Sequence, residues 1–222
     1  MRAMHPLRIA IPIYKGVDLI DVTVPYDVFT RIPEFWKERE LDLQIVAATT
    51  DPIVTGQQNK LVPTQTFSYY DNDPASVLLV PGAYQTDGAT GDETYMNFVK
   101  KQAAAAELVT SVCTGALILG KAGLLKGYRA TTYWSSLDTL AGNEGVKVVN
   151  GYPRWVHDGN RITGGGISSS IDAAIYIVSV VTNEQVAKCV QLRIQYNPHP
   201  PFNTGDPAVA DQDTYVRLVY GL

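Results

Sequence analysis

Short, nearly continuous apolar runs recur along the chain, separated by segments in which apolar residues follow a helical spacing. The runs are rich in β-branched residues and too short for helices, as is typical of buried strands. They occupy residues 8–14, 41–48, 76–80 and 108–112. Segments with helical spacing occupy residues 17–32, 94–106 and 114 to near 127. This alternation predicts an α/β fold with a mainly parallel sheet.

The rest of the chain predicts shorter elements and one long helix. Turn residues mark a hairpin-like excursion at 52–67. Further short elements are predicted, with strands at 129–132, 146–150, 154–157 and 161–163 and a helix at 135–141. Residues 167–196 are predicted to form one long, largely buried helical stretch. In the earlier helical segment at 17–32, Pro25 is predicted to mark a break or the first turn of the helix. The Pro-, Gly- and Asp-rich tail from Asn197 is expected to wrap the surface, and residues 1–222 to form a single domain.

The change of pattern at residues 112–116, Val-Cys-Thr-Gly-Ala, is the most informative local feature. A strand gives way there to a helix, which places Cys113 on the connecting turn, as in a nucleophile elbow. The first N–H groups of the helix would favour the thiolate of Cys113 and lower its pKa. A buried, purely structural Cys113 stays open from this segment alone. Cys189 has apolar neighbours at helical spacing and is interpreted as a packing residue.

Three predicted strand ends could meet at one site. They are residues 14–16, residues 81–83 (Pro-Gly-Ala) and Cys113. In a parallel sheet the functional crevice lies outside the carboxyl ends of the strands. We therefore expect these segments to be neighbours.

Composition and charge narrow the classes of function. The net charge of −4 and the lack of a Lys/Arg cluster argue against nucleic-acid binding. No apolar segment approaches the roughly 20 residues of a membrane span, and the first apolar run is too short for a signal peptide. Two cysteines and three histidines without ligand spacing argue against a disulfide framework and a metal site. We expect a cytoplasmic protein with no metal or other cofactor.

Several blocks resemble the ThiJ/PfpI superfamily, close to the class I glutamine amidotransferase-like fold. They are residues 112–116, 121–125 (Lys-Ala-Gly-Leu-Leu), 129–134 (Arg-Ala-Thr-Thr-Tyr-Trp) and 162–172. Residues 19–29 and 196–202 are similar to the isonitrile hydratase branch. The resemblance implies a flavodoxin-like α/β sandwich with helices on both faces, usually a homodimer. It also implies hydration of a small-molecule isonitrile to an N-substituted formamide.

In this superfamily the nucleophilic cysteine pairs with an acidic residue that follows the first strand. The matching residues are Cys113 and Asp21, with Thr114 as the hydroxyl neighbour, and Asp21 is expected to act as acid and base with a raised pKa. By position alone Asp21 could instead cap a helix, a role for which Asp18 is the better candidate.

The backbone around Cys113 is expected to stabilise developing negative charge. The N–H of Thr114 could join one from the Gly82–Ala83 turn as an oxyanion hole, and the alternative for Gly82 is an ordinary turn residue. The Thr114 hydroxyl could position water or the acid, or merely occupy the first helical turn. Glycines 164–166 are expected to bring backbone close to Cys113, with Ser168 or Ser169 capping the next helix.

Tyr133 occupies a position where related sequences often carry histidine. With Trp134 it could line an apolar pocket or pack in the core. The residue after Cys113 is not the histidine of the superfamily's proteases, so no Cys-His-acid triad is expected. The alternatives to a hydratase are another cysteine enzyme of the superfamily, such as a glyoxalase, and a non-enzymatic thiol sensor or ligand-binding domain.

Overall fold

The structure, a computed structural model, describes residues 5–220 and centres on a seven-stranded sheet. In spatial order its strands are β10 (Trp155–Asp158), β11 (Arg161–Gly164), β7 (Leu108–Ser111), β6 (Val77–Val80), β1 (Leu7–Pro12), β2 (Leu41–Ala47) and β5 (Gln65–Thr66). Every neighbouring pair is parallel except the β10–β11 hairpin. The predicted mainly parallel, flavodoxin-like α/β architecture is therefore confirmed.

Helices follow β1, β6, β7 and β11 along the chain. They are α1 (Leu19–Thr30) and α2 (Ile32–Phe35) after β1; α3 (Asp87–Thr90) and α4 (Glu93–Ala105) after β6; α5 (Gly115–Lys121) and α6 (Leu137–Ala141) after β7; and α7 (Ser169–Val181), α8 (Glu184–Arg193) and α9 (Gln212–Tyr220) after β11. Two small pairs complete the fold, an antiparallel pair of β3 (Ile53–Val54) with β4 (Lys60–Leu61) and a parallel pair of β8 (Arg129–Ala130) with β9 (Lys147–Val148).

The direction of winding reverses between β1 and β6. The chain moves from β1 outward to β2, and from β6 in the opposite direction to β7 and then β11. Because such crossovers are right-handed, α1 and α4 lie on opposite faces of the sheet. All residues of β1, β6, β7 and β11 are buried, as expected for strands covered on both sides. In open parallel sheets, ligands bind beyond the carboxyl ends of the strands where the winding reverses. Here these are the ends of β1 and β6, beside the end of β7.

Three predictions about helices are wrong. Residues 167–196 form α7 and α8 instead of one helix, because the side chain of Asn183 accepts a hydrogen bond from the Val186 N–H at 3.0 Å and caps a new helix. Pro25 lies inside α1 and neither breaks nor begins it. The helix after Cys113 ends at Lys121, ahead of the predicted end near Gly127.

The tail also contains a helix that its composition did not predict. Tyr215 of α9 contacts Trp134, with ring centroids 5.9 Å apart. No helix within residues 5–220 is long and apolar enough to cross a bilayer.

Candidate active site

Cys113 lies on a strained turn between β7 and α5. Its φ of +53° is in the left-handed region, which is unusual for a residue with a side chain. The Cys113 N–H donates to the Gly165 carbonyl at 2.9 Å, and the Cys113 carbonyl accepts from the Thr132 hydroxyl at 2.9 Å. Gly115 completes the turn, because a Cβ there would lie 2.1 Å from the Val80 carbonyl oxygen. The turn therefore has the strand–turn–helix form of a nucleophile elbow.

Asp21 is fully buried in the first turn of α1. Its Oδ2 accepts a hydrogen bond from the Gly82 N–H at 3.1 Å, and its Oδ1 has no regular hydrogen-bond partner among the described residues. Asp18, and not Asp21, caps α1 by accepting from the Ile20 N–H at 3.1 Å. The capping role expected for Asp18 is confirmed, and Asp21 is left with a buried, half-satisfied carboxyl group.

Burial and charge raise the pKa of both Asp21 and Cys113. Burial, reinforced by the charge of Asp18, raises the pKa of Asp21 to about 8, although the Gly82 N–H and the Cys113 thiol act in the opposite direction. Burial and the charge of Asp21 raise the pKa of Cys113 to about 12. At neutral pH the folded protein therefore favours a neutral thiol beside a protonated acid.

The prediction of a lowered thiol pKa at Cys113 is thus wrong in direction. The expected backbone donors are present, since the N–H groups of Ile167 and Thr114 both lower the pKa of Cys113. Their effect is smaller than the cost of placing a thiolate in a buried site next to a carboxylate.

The Gly82–Ala83 turn supports Asp21 and Thr114 through its N–H groups. The Ala83 N–H donates to the Thr114 hydroxyl at 2.8 Å, and that hydroxyl donates to the Ala83 carbonyl at 2.6 Å. The Gly82 N–H is bound to Asp21. Both N–H groups and the hydroxyl thus have partners within the protein. The oxyanion role expected of Gly82 and Ala83 stays a prediction, in which a substrate oxygen would replace one of these partners.

Gly82 is required at this turn by close packing. A Cβ on Gly82 would lie 2.6 Å from the backbone nitrogen and the hydroxyl oxygen of Thr114, and 3.0 Å from Oδ2 of Asp21. Contacts below 3.0 Å force neighbouring atoms to move. The absent side chain thus lets the acid and the elbow approach each other.

The glycines before α7 bring the backbone to Cys113, as predicted, through the Gly165 carbonyl. Ile167 is a site residue that sequence reasoning missed. Its N–H lowers the pKa of the Cys113 thiol, and its φ is +30°. Ser168 occupies the N-cap position of α7 without making a capping bond. The ring of Tyr133 lies directly on Gly166, where a Cβ would be 2.1 Å from Cδ2 of Tyr133. Tyr133 therefore packs against the segment that presents the Ile167 N–H.

Tyr14 is a second residue that sequence reasoning did not single out. Its buried hydroxyl donates to the Pro81 carbonyl at 3.3 Å. Burial raises its pKa well above the ordinary tyrosine value, and the charges of Asp21 and Cys113 add to this. The available signal was its position at the end of the first apolar run.

Three exposed apolar side chains lie next to site segments in the sequence. Cys113 itself is 5% exposed, while Ile20, Tyr84 and Ile167, each adjacent to a site segment, are 43%, 96% and 40% exposed. Within residues 5–220 no cluster of three or more His, Cys, Asp or Glu side chains could hold a metal ion.

The fold and site define an α/β protein with a nucleophile elbow and a buried cysteine–carboxyl pair. The chain belongs to the DJ-1/PfpI family, whose model matches residues 7–180. It is 38% identical to the isonitrile hydratase of Pseudomonas putida over 204 residues, which cover 92% of this chain and 85% of that protein.

Two other similarities lie within the same family. A deglycase of Pyrococcus abyssi is 27% identical over 133 residues, covering 60% of this chain and 75% of that protein. The crystal structure of a ThiJ/PfpI family protein from Pseudomonas syringae superposes with a TM-score of 0.86 at 34% identity, covering 99% of this chain and 88% of that one.

Proposed function

We propose that this protein hydrates isonitriles to N-substituted formamides, with Cys113 as nucleophile and Asp21 as acid and base. The observation that carries the proposal is geometric: Cys113 lies buried at the elbow, and the fully buried Asp21 is held to the neighbouring turn by the Gly82 N–H at 3.1 Å. Burial raises the pKa of both groups, which favours their protonated forms. The 38% identity to an isonitrile hydratase over 92% of the chain supports the same reaction.

The first step adds the S–H group of Cys113 to the terminal carbon of the isonitrile. The sulfur forms a bond to this carbon while the Asp21 carboxyl group gives it a proton, and Asp21 recovers a proton from the thiol. The product is a thioformimidate on Cys113. Oδ1 of Asp21, which has no hydrogen-bond partner within residues 5–220, is suited to this exchange, because Oδ2 is held by Gly82. A neutral thiol with a raised pKa is compatible with this step, since the proton leaves the sulfur as the carbon–sulfur bond forms.

The second step is hydrolysis of the thioformimidate. Water adds its oxygen to the carbon and gives a proton to Asp21, while Asp21 gives a proton to the nitrogen. The new C–O–H group then becomes the formamide carbonyl as the carbon–sulfur bond breaks, and its proton returns to the sulfur through Asp21. The cycle consumes one water and restores Cys113 and Asp21.

Formamide production from cyclohexyl isocyanide by the purified protein tests this proposal. Turnover is expected in the wild type and in Cys189→Ala, the control at the other cysteine. Loss of about 10³-fold or more is expected in Cys113→Ala and Asp21→Asn. Near-normal turnover by Cys113→Ala would exclude the covalent mechanism.

A parallel assay with a 2-oxoaldehyde tests the glyoxalase-like alternative, which the similarity to a deglycase motivates. Turnover of the oxoaldehyde without any formamide production would replace the hydratase proposal. Stoichiometric oxidation of Cys113 by peroxide with no turnover of either substrate would favour a thiol sensor.

A further inference from the structure

One peptide group links a buried tyrosine to the acid of the site. The Pro81 carbonyl accepts a hydrogen bond from the Tyr14 hydroxyl at 3.3 Å. The N–H of the same peptide, on Gly82, donates to Oδ2 of Asp21 at 3.1 Å. Because the peptide is planar, its carbonyl and its N–H turn together. The peptide orientation in which the Pro81 carbonyl accepts from Tyr14 is therefore also the one in which the Gly82 N–H donates to Asp21.

We propose that Tyr14 is a positioning residue that holds the Pro81–Gly82 peptide in the orientation required by Asp21. The kinetic part of this inference rests on the proposed function, whereas the structural part does not. Gly82 has no side chain to restrict its backbone. Its own carbonyl accepts from the Asp18 N–H at 2.9 Å, and Tyr14 holds the carbonyl of the preceding peptide. With Tyr14 in place, Oδ2 is the anchored oxygen and Oδ1 is the oxygen left for proton transfer.

The same linkage tunes the acidity of Asp21. A hydroxyl that donates to a carbonyl polarises the peptide and makes its N–H a stronger donor. A stronger donor stabilises the carboxylate, which lowers the pKa of Asp21 from the value that burial alone would impose. Tyr14 stays protonated through the neutral range, because its own pKa is raised by burial, and it therefore remains a donor.

The other titratable groups around this pair are few. The charge of Asp18 raises the pKa of both Asp21 and Tyr14. Cys113 lowers the pKa of Asp21 and raises that of Tyr14. Tyr95 packs against Tyr14 with ring centroids 5.1 Å apart.

Tyr95 provides a matched control. Its buried hydroxyl donates to the Pro12 carbonyl at 3.2 Å, so each tyrosine makes one bond to a proline carbonyl. Tyr14→Phe and Tyr95→Phe each delete one such bond and keep the aromatic ring in place. Only the bond of Tyr14 lies on the peptide that holds Asp21. A difference between the two variants therefore reports on positioning and not on a general loss of stability.

The pH dependence of Cys113 alkylation by iodoacetamide, measured in a Cys189→Ala background, tests the proposal without any isonitrile. The rate has an inflection where Asp21 ionises, because that charge raises the pKa of Cys113. We expect Tyr14→Phe to raise this apparent pKa by about 0.3 pH units or more, and Tyr95→Phe to leave it unchanged. In the hydratase assay we expect Tyr14→Phe to lower kcat without changing KM.

No shift in the alkylation profile of Tyr14→Phe, or an equal shift in Tyr95→Phe, would overturn the positioning role. A shift confined to Tyr14→Phe in a protein that does not hydrate isonitriles would retain the positioning role and reject the proposed function.

Discussion

The carboxylate of Asp21 raises the pKa of the Cys113 thiol, whereas the thiol lowers the pKa of the Asp21 carboxyl group. Both effects favour the state in which sulfur keeps its proton and donates toward an ionised carboxyl group. Burial also disfavours the carboxylate itself, so near neutral pH the Asp21 carboxyl group is protonated as well. The resting site is thus a protonated thiol beside a protonated carboxyl group. Such a pair can deliver both the sulfur and a proton to one carbon atom, as the proposed reaction requires, without first forming a thiolate.

Replacing the acid should make the thiol more reactive toward alkylation above pH 8. Asp21→Asn removes the negative charge that raises the pKa of Cys113, so the thiolate fraction at pH 9 should increase. We expect iodoacetamide to react about threefold faster or more, corresponding to a fall of half a pKa unit. The measurement uses the Cys189→Ala background, and the further substitution Cys113→Ala gives the background rate without any cysteine. An unchanged or slower rate would show that the Asp21 charge does not control the thiol.

The buried acid should also make stability depend on pH. The pKa of Asp21 is about 8 in the folded protein and near 3.8 when unfolded. Between these values the unfolded chain releases a proton that the folded protein keeps, so stability falls as pH rises from about 4 to about 8. In urea unfolding, the free energy of unfolding of Asp21→Asn should exceed that of the wild type by a few kcal/mol at pH 8. At pH 4 the two values should be similar.

The control for this linkage is Asp27→Asn, an exposed acid in the same helix. We expect it to change stability by less than about 1 kcal/mol at either pH. A wild-type stability that stays level between pH 4 and pH 8 would contradict a raised pKa at Asp21.

Two glycines of α5 should differ sharply in their tolerance of a methyl group. At Gly115 a Cβ would lie 2.1 Å from the Val80 carbonyl oxygen, which is backbone of a central strand. At Gly120 the nearest atom is Cγ of the Asn143 side chain at 2.9 Å, and a side chain can move. We expect Gly115→Ala to lower the free energy of unfolding by about 3 kcal/mol or more, and Gly120→Ala to change it by less than about 1 kcal/mol. Similar values for both would refute this account of the elbow.

Tyr133 should contribute to substrate binding through its ring. Tyr133→Ala removes the ring that covers Gly166 and is expected to raise KM for cyclohexyl isocyanide about fivefold, as for loss of roughly 1 kcal/mol of apolar contact. Tyr133→Phe keeps the ring and should behave as the wild type. If Tyr133→Ala binds the substrate normally, Tyr133 serves packing alone.

The strand ends illustrate how much of the site can be predicted from a sequence. The apolar runs ending near Tyr14, Pro81 and Cys113 are local patterns, and their strands β1, β6 and β7 are indeed adjacent in the sheet. The partners of individual atoms were not predictable in this way. Ala83 and Thr114 satisfy each other's hydrogen bonds, and Tyr14 reaches Pro81, only because distant segments fold together.

By itself the sequence determined the α/β class, the parallel strands, the elbow at Cys113 and the Asp18 cap, because periodicity, β-branched runs and capping residues act between chain neighbours. The tertiary structure decided the protonation of Asp21 and Cys113, the use of the Gly82 and Ala83 N–H groups, and the break before α8. The physical reason is that a pKa depends on burial and on charges from other elements. These are set only when α1, the β6 turn and the elbow meet at one edge of the sheet.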